Sequence, residues 1–367
     1  MPIEKKLRII HTEASPHWGG QEIRIFEEMK WFREQGHEMI LVAPDDGTLF
    51  KRCKEDGFQV ISVYFTKPRT FLNILKMLWI IRRLKPNAVA THSSTDSWAA
   101  LIAAFLLSIK KRVRYRHVST LVSKNLLNSL QYRILSTLIL TTGECIRKQL
   151  INNFNLRGAK IHVTPTPILI SREIPSHLDS RINLQKKLKI SPNSRFIGQI
   201  SVLRGWKGHL LLIEAFESIS TKHPELNLVI VGEGAMREII QEKISRSAQK
   251  SKIHLIGHHE YPEQILSAFD ISVLASTKNE GIPQCLLLSM QCKVPIVAND
   301  VGGIPEIITE KTGVLTDKVC STDLSAKIFE LYSNKKKQLY LANNAHKIVT
   351  EKFSWQIIGS KILKLYS

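Results

Sequence analysis

Apolar runs of strand length alternate with longer amphipathic segments of helical length along the whole chain. This alternation is typical of α/β folds with parallel sheets, in which a helix follows each strand and packs on the sheet. The predicted strands are Leu7–Thr12, Met39–Ala43, Val60–Phe65, Ala88–His92, Val113–Val118, Leu138–Thr142, Ile161–Thr164, Phe196–Ser201, Leu228–Val231, Ile253–Gly257, Ile271–Leu274, Pro295–Ala298 and Gly313–Leu315. The predicted helices include Gln21–Gln35, Phe71–Leu84, Ser97–Ile109 and Glu144–Asn153, with further ones beginning near Lys207, Met236, Pro262, Pro283 and Pro305.

This pattern weakens between Pro165 and Ser194, a segment that contains four prolines. A chain of 367 residues is also too long for one ordinary core and fits two domains of about 150–200 residues. Two successive open α/β domains enclose a cleft, and their ligands bind at the carboxyl ends of the strands. The predicted organisation is a domain over residues 1–170, a linker over 171–194, a second domain over 195–350, and a last segment over 351–367 that contains the helix Phe353–Tyr366.

The net charge is strongly positive and unevenly spread. Lys and Arg number 52 against 32 Asp and Glu, a formal charge of +20. Residues 1–190 hold 31 basic against 15 acidic side chains, whereas the remainder holds 21 against 17. Such a field attracts phosphate-rich surfaces, either nucleic acid or anionic lipid. Known nucleic-acid reader motifs are absent and the basic residues are not interleaved with stacking aromatics. We therefore expect no nucleic-acid partner and favour an anionic membrane surface.

One predicted helix could supply that contact. The segment Lys67–Lys85 alternates apolar with basic side chains, and a helix of this kind can lie in a lipid interface with a Trp at headgroup depth. A helix packed on its sheet with a solvated basic edge fits the same residues equally well, and the uneven charge decides for the membrane. The membrane-surface candidates are Lys76, Trp79, Arg82, Arg83, Lys110, Lys111 and Arg112.

Compartment and metal content follow from simpler features. The longest apolar run, Trp98–Leu107, is half of what a membrane span requires, and no signal-peptide pattern opens the sequence. The five cysteines are odd in number and scattered without metal-ligand spacing. We therefore expect a cytoplasmic protein at the inner face of the cell membrane, without a metal or a cofactor.

The segment Ser276–Met290 carries the most specific chemistry. Glu280 follows the strand Ile271–Leu274 and stands just before a helix with Pro283 near its start, so a carboxylate adjoins free backbone amides. The sequence Glu280-Gly281-Ile282-Pro283 resembles the nucleotide-sugar motif of family 4 glycosyltransferases. That family usually has a second Glu eight positions later, where this chain has Leu288.

Three further loops strengthen the resemblance. Arg204 and Lys207 lie three residues apart in a glycine-containing loop after a strand; alone they fit a solvated basic loop, but they resemble the family's donor-phosphate motif. Their fixed charge would stabilise a departing diphosphate. The other two loops, which resemble donor-side segments of the family, contain Gly232, Glu233 and Gly234, and Gly302, Gly303 and Glu306.

In the N-terminal half, Gly19, Gly20 and Gln21 occupy the first strand-to-helix loop, where amides can approach phosphate or acceptor oxygens. A lone His at a strand end is more often structural. His117, however, lies at the end of the predicted strand Val113–Val118 and resembles the family's active-site histidine. With the polar loop Thr91–Trp98, these residues resemble the branch that builds lipopolysaccharide and other surface polysaccharides. No G-x-G-x-x-G is present, which argues against a dinucleotide oxidoreductase.

The resemblance implies a GT-B fold: two Rossmann-like domains facing a cleft, with the C-terminal helix crossing back to the first. It also implies retaining transfer of a sugar from a nucleotide-sugar to a lipid-linked or surface-glycan acceptor, of lipopolysaccharide, O-antigen or capsule type. Arg204 and Lys207 would stabilise the diphosphate, Glu280 would orient the sugar, and His117 would act from the acceptor side. A GT-B relative that transfers no sugar, such as a nucleotide-sugar epimerase or a degenerate nucleotide-sugar-binding protein, stays open because of Leu288.

Overall fold

The computed structural model describes residues 6–170 and 173–367, and these residues form two compact units. One unit contains the described residues of Met1–Pro167 together with Trp355–Ser367, and the other is Ile168–Ser354. Each unit is built on its own parallel sheet with helices between successive strands. The prediction of a parallel α/β architecture is confirmed.

In the described residues, the first unit has a seven-stranded sheet in the order β3-β2-β1-β4-β5-β6-β7. All of its paired strands are parallel. The chain order reverses between β1 and β4, so the loops that follow these two strands diverge and leave a crevice at the carboxyl edge of the sheet. The strands are β1 Arg8–Thr12, β2 Glu38–Ala43, β3 Gln59–Ser62, β4 Ala88–Thr91, β5 Lys111–Arg116, β6 Leu138–Thr141 and β7 Ile161–Val163.

The second unit repeats this topology with one strand fewer. Its described strands pair in parallel in the order β10-β9-β8-β11-β12-β13, and the reversal falls between β8 and β11. The strands are β8 Arg195–Ile200, β9 Leu226–Val231, β10 Ile253–Leu255, β11 Ile271–Leu274, β12 Ile296–Asn299 and β13 Val314–Thr316.

The helices cover the sheets through apolar faces. In the first unit the strand residues Ile10, Ile40 and Val89 share one buried cluster with apolar side chains of α3 and α4. In the second unit Leu228 and Val273 do the same with side chains of α8. The helices are α1 Gly20–Glu34, α2 Thr48–Glu55, α3 Thr70–Leu84, α4 Ser94–Leu106, α5 Leu126–Leu130, α6 Glu144–Phe154, α7 His177–Leu188, α8 His209–Ser220, α9 Arg237–Ser245, α10 Pro262–Leu266, α11 Gln284–Gln291, α12 Ser321–Tyr332, α13 Lys335–Lys352 and α14 Ser360–Tyr366.

The C-terminal segment packs inside the first unit. Trp355 opens a short π-helical turn, Trp355–Gly359, and its ring stacks on that of Trp31 at a centroid distance of 6.1 Å. The hydroxyl of Tyr366 lies 3.1 Å from that of Tyr115, and Lys361 donates to the carbonyl of Val163. Buried aromatic contacts and hydrogen bonds therefore hold the segment.

Three expectations about the elements need correction. The predicted linker begins at residues 171 and 172, which lie outside the described part, but most of its remainder is the helix α7, whose Leu184 joins a buried cluster. No α-helix begins near Pro305 in the described structure; a 3-10 turn, Ile304–Glu306, stands there and α12 starts only at Ser321. The last helix is α14, preceded by the π-turn, because Phe353 is the C-cap of α13. Prolines misled the first two assignments, since they mark tight turns and helix starts alike.

Replacing Trp355 with Ala should lower the free energy of unfolding of the first unit by about 3–5 kcal/mol, because the large ring is 2% exposed and its removal leaves a cavity beside Trp31. Urea titration followed by tryptophan fluorescence measures this change, since five of the six tryptophans lie in that unit. The control is Ile357→Ala, two residues along at a 45% exposed side chain, which should change little. Equal effects of the two substitutions would contradict the packing described.

Candidate active site

The second unit brings Lys207 and Glu280 into direct contact. Lys207 follows β8 and Glu280 follows β11, and these neighbouring strands flank the reversal of strand order. The Lys207 Nζ lies 2.6 Å from the Glu280 Oε1, and the hydroxyl of Ser276 donates to the same oxygen at 2.6 Å. Both charged side chains are mostly buried. An ammonium is thus held against a carboxylate at the edge where open α/β sheets bind ligands.

Two buried amide side chains hold the loops that carry this pair. Gln199, inside β8, donates to the carbonyl of Lys207 at 2.8 Å and accepts from the amide of Ala275 at 3.0 Å. Asn299, at the end of β12, donates to the carbonyls of Ala275 and Ser276 at 3.0 and 3.2 Å. Because both amides are fully buried, losing these bonds would leave polar groups unsatisfied, which disfavours other loop positions.

Glycines let the loops approach closely. Gly208 has φ +70°, and a Cβ there would lie 1.8 Å from the carbonyl oxygen of Ala275. Gly302 has φ +60°, and a Cβ there would lie 2.3 Å from the carbonyl oxygen of Glu280. Any side chain at either position would push apart the loops that hold the ion pair.

The remaining expected donor-side residues differ in burial. Arg204 is exposed, with its guanidinium 5.2 Å from the ring centroid of Trp206. Gly232 and Gly234 pack against the backbone of the loop after β8, while the exposed Glu233 binds Arg237 at 2.6 Å. The placement of the others is as follows: Gly281, Ile282 and Pro283 are buried at the start of α11, Leu288 packs half-buried among apolar side chains, and Glu306 is exposed in the 3-10 turn.

A buried histidine adjoins the ion pair. His209 opens α8, and its Nε2 lies 3.0 Å from the hydroxyl of Ser201. Burial, with a smaller contribution from the charge of Lys207, lowers the pKa of His209 from 6.5 to about 4. The imidazole is therefore neutral at physiological pH, so it adds no positive charge beside Lys207.

The first unit presents carboxylates at the corresponding reversal of its sheet. Glu13, directly after β1, accepts hydrogen bonds from the amides of Ala14 and Ser15 and from the side chains of Ser93 and Gln21. The Gln21 amide also lies 3.2 Å from the Ser93 hydroxyl. Gln21 therefore ties the first loop to the loop after β4. Gly19 caps α1 and donates its N–H to the Glu22 carboxylate at 3.0 Å, while Gly20 is exposed beside it.

Two other carboxyls, which lie near Glu13, have raised pKa values. Asp96, in the first turn of α4, accepts from the hydroxyl of Thr12 at 2.6 Å and from the amide of His92 at 3.0 Å. Burial raises the pKa of Asp96 to about 7, with the charge of Glu13 as the second cause. The same two causes, in the same order, raise the pKa of Glu22 to about 7. Asp96 and Glu22 are therefore partly protonated near neutral pH.

His117 stands at the end of a column of three imidazoles. Its Nε2 lies 3.0 Å from the Nδ1 of His92, and the Nε2 of His92 lies 2.9 Å from the Nδ1 of His11. The ring of Tyr115 stacks on His92 at a centroid distance of 4.4 Å. His117 is half-buried, whereas His92 and His11 are buried. Burial, followed by the charge of Arg24, lowers the pKa of His11 to about 3, and burial also lowers the pKa values of His92 and His117.

The membrane-surface candidates separate into two groups. On α3, Phe71 and Trp79 are 71% and 60% exposed, and Lys76, Arg82 and Arg83 are exposed with them. In the second group, which consists of Lys110, Lys111 and Arg112, only Lys110 is exposed. Lys111 donates to the carbonyl of Leu365, and Arg112 donates to those of Leu135 and Ile109, so structural bonds engage both side chains.

A second apolar surface follows His117 and was not expected from the sequence. It is formed by Leu121 and by side chains of α5 and the π-helical turn after it, with Leu121 and Leu126 each 84% exposed. The other members are Leu127, Leu130 and Ile134. Within residues 6–170 and 173–367, no helix is both long and apolar enough to cross a bilayer.

Sequence reasoning did not single out Gln199 in one unit or His11 and Glu13 in the other. It named the segments that contain Ser276, His92 and Asp96 but gave these side chains no role, and it gave none to Asn299. A signal existed for some of them. Gln199 and His11 are polar residues inside apolar strand segments, and a buried polar side chain must find a partner. Among the described residues, no group of three His, Cys, Asp or Glu side chains could hold a metal ion.

Two family models match the chain. Residues 18–172 match glycosyltransferase family 4, and residues 180–348 match glycosyl transferases group 1. Together they cover most of the chain, one model on each unit.

Individual relatives agree with these matches. The GDP-mannose-dependent monoacylated alpha-(1-6)-phosphatidylinositol monomannoside mannosyltransferase of Corynebacterium glutamicum is 28% identical over 55% of this chain, and the chain spans only about half, 54%, of that relative. The GPI3 component of the phosphatidylinositol N-acetylglucosaminyltransferase of Saccharomyces cerevisiae is 22% identical over 96% of this chain and 80% of its own length.

The solved structures agree on the fold. The crystal structure of Anabaena HepE with UDP-glucose superposes with a TM-score of 0.83 at 19% identity, over 98% of this chain and 99% of that one. Two Rossmann-like units of this topology define the protein as one of the GT-B class, as predicted. Within that class the chain belongs to the family 4 glycosyltransferases.

The pKa of Glu22 predicts a pH-dependent stability. Between about pH 4.5 and pH 7 the folded chain keeps a proton on Glu22 that the unfolded chain releases, so the carboxyl opposes folding increasingly as the pH rises through this window. Glu22→Gln, which imitates the protonated group, should therefore gain stability relative to the unsubstituted protein by roughly 2–3 kcal/mol between pH 4.5 and pH 8. Urea titrations at several pH values measure the difference. The control is Glu34→Gln, at an exposed position of α1, and a constant difference for Glu22→Gln would contradict the raised pKa.

Proposed function

We propose that this protein is a retaining glycosyltransferase that moves a sugar from a nucleotide-sugar to a lipid-linked or surface-glycan acceptor at the inner face of the cell membrane. The second unit binds the donor and the first binds the acceptor. The observation that carries the proposal is the contact between the Lys207 ammonium and the Glu280 carboxylate at the strand-order reversal of the second sheet.

The ion pair suggests how the donor is received. When a diphosphate enters, its oxygens compete with Glu280 for the Lys207 ammonium, and the exposed Arg204 adds a second positive charge. Glu280 keeps its bond from Ser276 and can then accept a hydroxyl of the sugar. Positive charge fixed beside the diphosphate stabilises the negative charge that develops as the glycosidic bond breaks. In this division of roles, Lys207 binds the leaving diphosphate and Glu280 binds the sugar.

The resemblance to family 4 supports retention of the anomeric configuration. The proposed course is a front-face transfer, in which a leaving phosphate oxygen receives the acceptor proton while the new glycosidic bond forms. No group on the opposite face of the sugar is needed in this course. The donor-side glycines and the amides at the start of α11 would then bind the nucleotide and the phosphates.

The acceptor is proposed to be membrane-bound because of α3. Its Phe71 and Trp79 project into solvent beside Lys76, Arg82 and Arg83, and the guanidinium of Arg83 lies 5.2 Å from the ring centroid of Trp79. Apolar side chains flanked by cations match a bilayer surface with anionic headgroups. The names of both relatives described above contain phosphatidylinositol, which agrees with a lipid acceptor.

The donor-binding proposal predicts selective thermal stabilisation. Of UDP-, GDP-, ADP-, dTDP- and CMP-sugars, one nucleotide class should raise the melting temperature of the protein. Lys207→Ala should weaken that binding by about 10- to 100-fold, the effect of losing a hydrogen bond to a charged group. Titration calorimetry with the selected nucleotide-sugar measures the affinity.

Removing Lys207 alone leaves the buried Glu280 with one partner fewer and can destabilise the fold. The double variant Lys207→Met with Glu280→Gln keeps the site neutral, so a loss of binding in it cannot be attributed to an unpaired charge. Lys243→Ala removes a similar ion pair, with Glu214, from the surface of the same unit and should bind normally. Stabilisation by no nucleotide-sugar would favour the non-transferring relative and direct attention to Leu288.

The membrane proposal predicts binding to vesicles that contain anionic lipid, weakened by salt. Replacing Lys76, Arg82 and Arg83 together with Gln should reduce the partition coefficient by roughly 100-fold, because each cation near the surface adds about 1 kcal/mol. Replacing Phe71 and Trp79 with Ser should also reduce it. Sedimentation with vesicles of phosphatidylglycerol and phosphatidylcholine measures both effects.

The matched control is Leu339→Ser with Tyr340→Ser, which removes two exposed apolar side chains from α13. If this control loses as much binding as the α3 variants, α3 is not the docking surface.

A further inference from the structure

The imidazole column of His11, His92 and His117 forms a continuous line of hydrogen bonds. Each contact joins two ring nitrogens, so in each one nitrogen must donate and the other must accept. A neutral imidazole carries a single N–H. The direction of one contact therefore dictates the direction of the other, and the column has only two arrangements that keep both bonds.

The two arrangements differ at the ends of the column. In the first, His11 donates from Nδ1 to His92, His92 donates from Nδ1 to His117, and His117 carries its proton on Nδ1, the nitrogen outside the column. In the second, every bond is reversed. His117 then has a lone pair on Nδ1, and His11 carries its proton on Nε2.

The buried end decides between them. Among the described residues the Nε2 of His11 has no hydrogen-bond partner, and the His11 side chain is fully buried. The second arrangement would place an N–H there without an acceptor, which is rarer in proteins than an acceptor without a donor. The first arrangement leaves only a lone pair at that position.

The surrounding positive charges act on both ends of the column. The Arg24 guanidinium lies 5.2 Å from the ring centroid of Tyr115, and its charge opposes a proton on His11. Arg24 is also the first of the charges that oppose a proton on His117, followed by Arg114 and Arg116. Arg24, Arg114 and Arg116 all donate to backbone carbonyls, whose dipoles reduce the field of each charge. The charges therefore do not reverse the preference of the buried end.

We propose that His92, with His11 behind it, is a positioning residue that holds His117 in the tautomer with its proton on Nδ1. His117 then offers a hydrogen-bond donor, rather than a base, to whatever binds beside it. The proposal extends the proposed function and rests on it only for the statement that His117 meets a substrate. The substrate atom that faces Nδ1 is then an oxygen lone pair, as of a hydroxyl or a carbonyl.

The tautomer can be measured in the full-length protein without any substrate. In a two-bond proton–nitrogen correlation spectrum of ¹⁵N-histidine-labelled protein, His117 should show a protonated Nδ1 and an unprotonated Nε2, by roughly tenfold or more over the other form. His117→Asn assigns the signals by their loss. A protonated Nε2 or an equal mixture of tautomers would overturn the proposal.

Two other histidines calibrate the same spectrum. The Nε2 of His254 lies 3.0 Å from the side-chain oxygen of Asn227, so His254 must carry its proton on Nε2. The Nδ1 of His346 lies 2.9 Å from the carbonyl of Gln291, so His346 must carry its proton on Nδ1. His117 should therefore match His346 and differ from His254.

His92→Phe tests whether the column is the cause. The substitution keeps a ring beside Tyr115 but breaks both hydrogen bonds, so His117 should lose its preference and show a mixture of tautomers while His254 and His346 stay unchanged. An unchanged His117 signal would show that His92 does not position it.

A transfer assay adds a functional readout once a donor and an acceptor are known. In His117→Asn the amide nitrogen can donate from near the position of Nδ1, so a donor role predicts a loss of no more than about 10-fold. A general-base role predicts a loss of about 10²–10⁴-fold and would contradict the donor assignment. If the unsubstituted protein transfers no sugar, the proposed function fails, while the tautomer measured in the spectrum still tests the column.

Discussion

The candidate donor site depends on two buried amide side chains that form hydrogen bonds with the backbone of its loops. Gln199 joins the loops after β8 and β11, and Asn299 joins the loops after β11 and β12. Each amide is fully buried, so each loop position must keep these hydrogen bonds or leave polar groups unsatisfied. The ion pair of Lys207 with Glu280 is therefore held by groups that never need to touch a substrate. Gly208 and Gly302 permit the close approach that these bonds require.

The two units use one topology for opposite chemistry. Both sheets reverse their strand order next to the first strand of the unit, and both place polar loops at that point. In the second unit the loops present cations, Arg204 and Lys207, which suit phosphate. In the first unit they present carboxyls and neutral imidazoles, such as Asp96 and His117, which suit hydroxyl groups. Shared topology thus decides where ligands bind, while loop residues decide which ligands those are.

The positive charge of the N-terminal half has more than one cause. Lys111, Arg112 and Arg116 donate to backbone carbonyls within the first unit, so part of the excess serves the fold. The exposed cations of α3 do not share such hydrogen bonds to backbone carbonyls. They lie among exposed apolar side chains. A count of charges could not separate these groups, because the count contains no information on where each side chain ends.

The sequence by itself determined the parallel α/β class, almost every strand and the family. Apolar runs and short glycine-containing motifs are local in sequence, so they can be recognised without knowing which residues are neighbours in space. Arg204, Lys207, Glu280 and His117 can be named on that basis. Only the tertiary structure decided that Lys207 binds Glu280, that Gln199 and Asn299 hold their loops, and that His117 ends a column begun by His11. These partners lie 73 to 81 residues apart in the clearest cases, and no pattern along the chain records which strands become neighbours in a sheet. The helix α7 was missed for a related reason: its weak apolar pattern gains meaning only from the unit against which Leu184 packs.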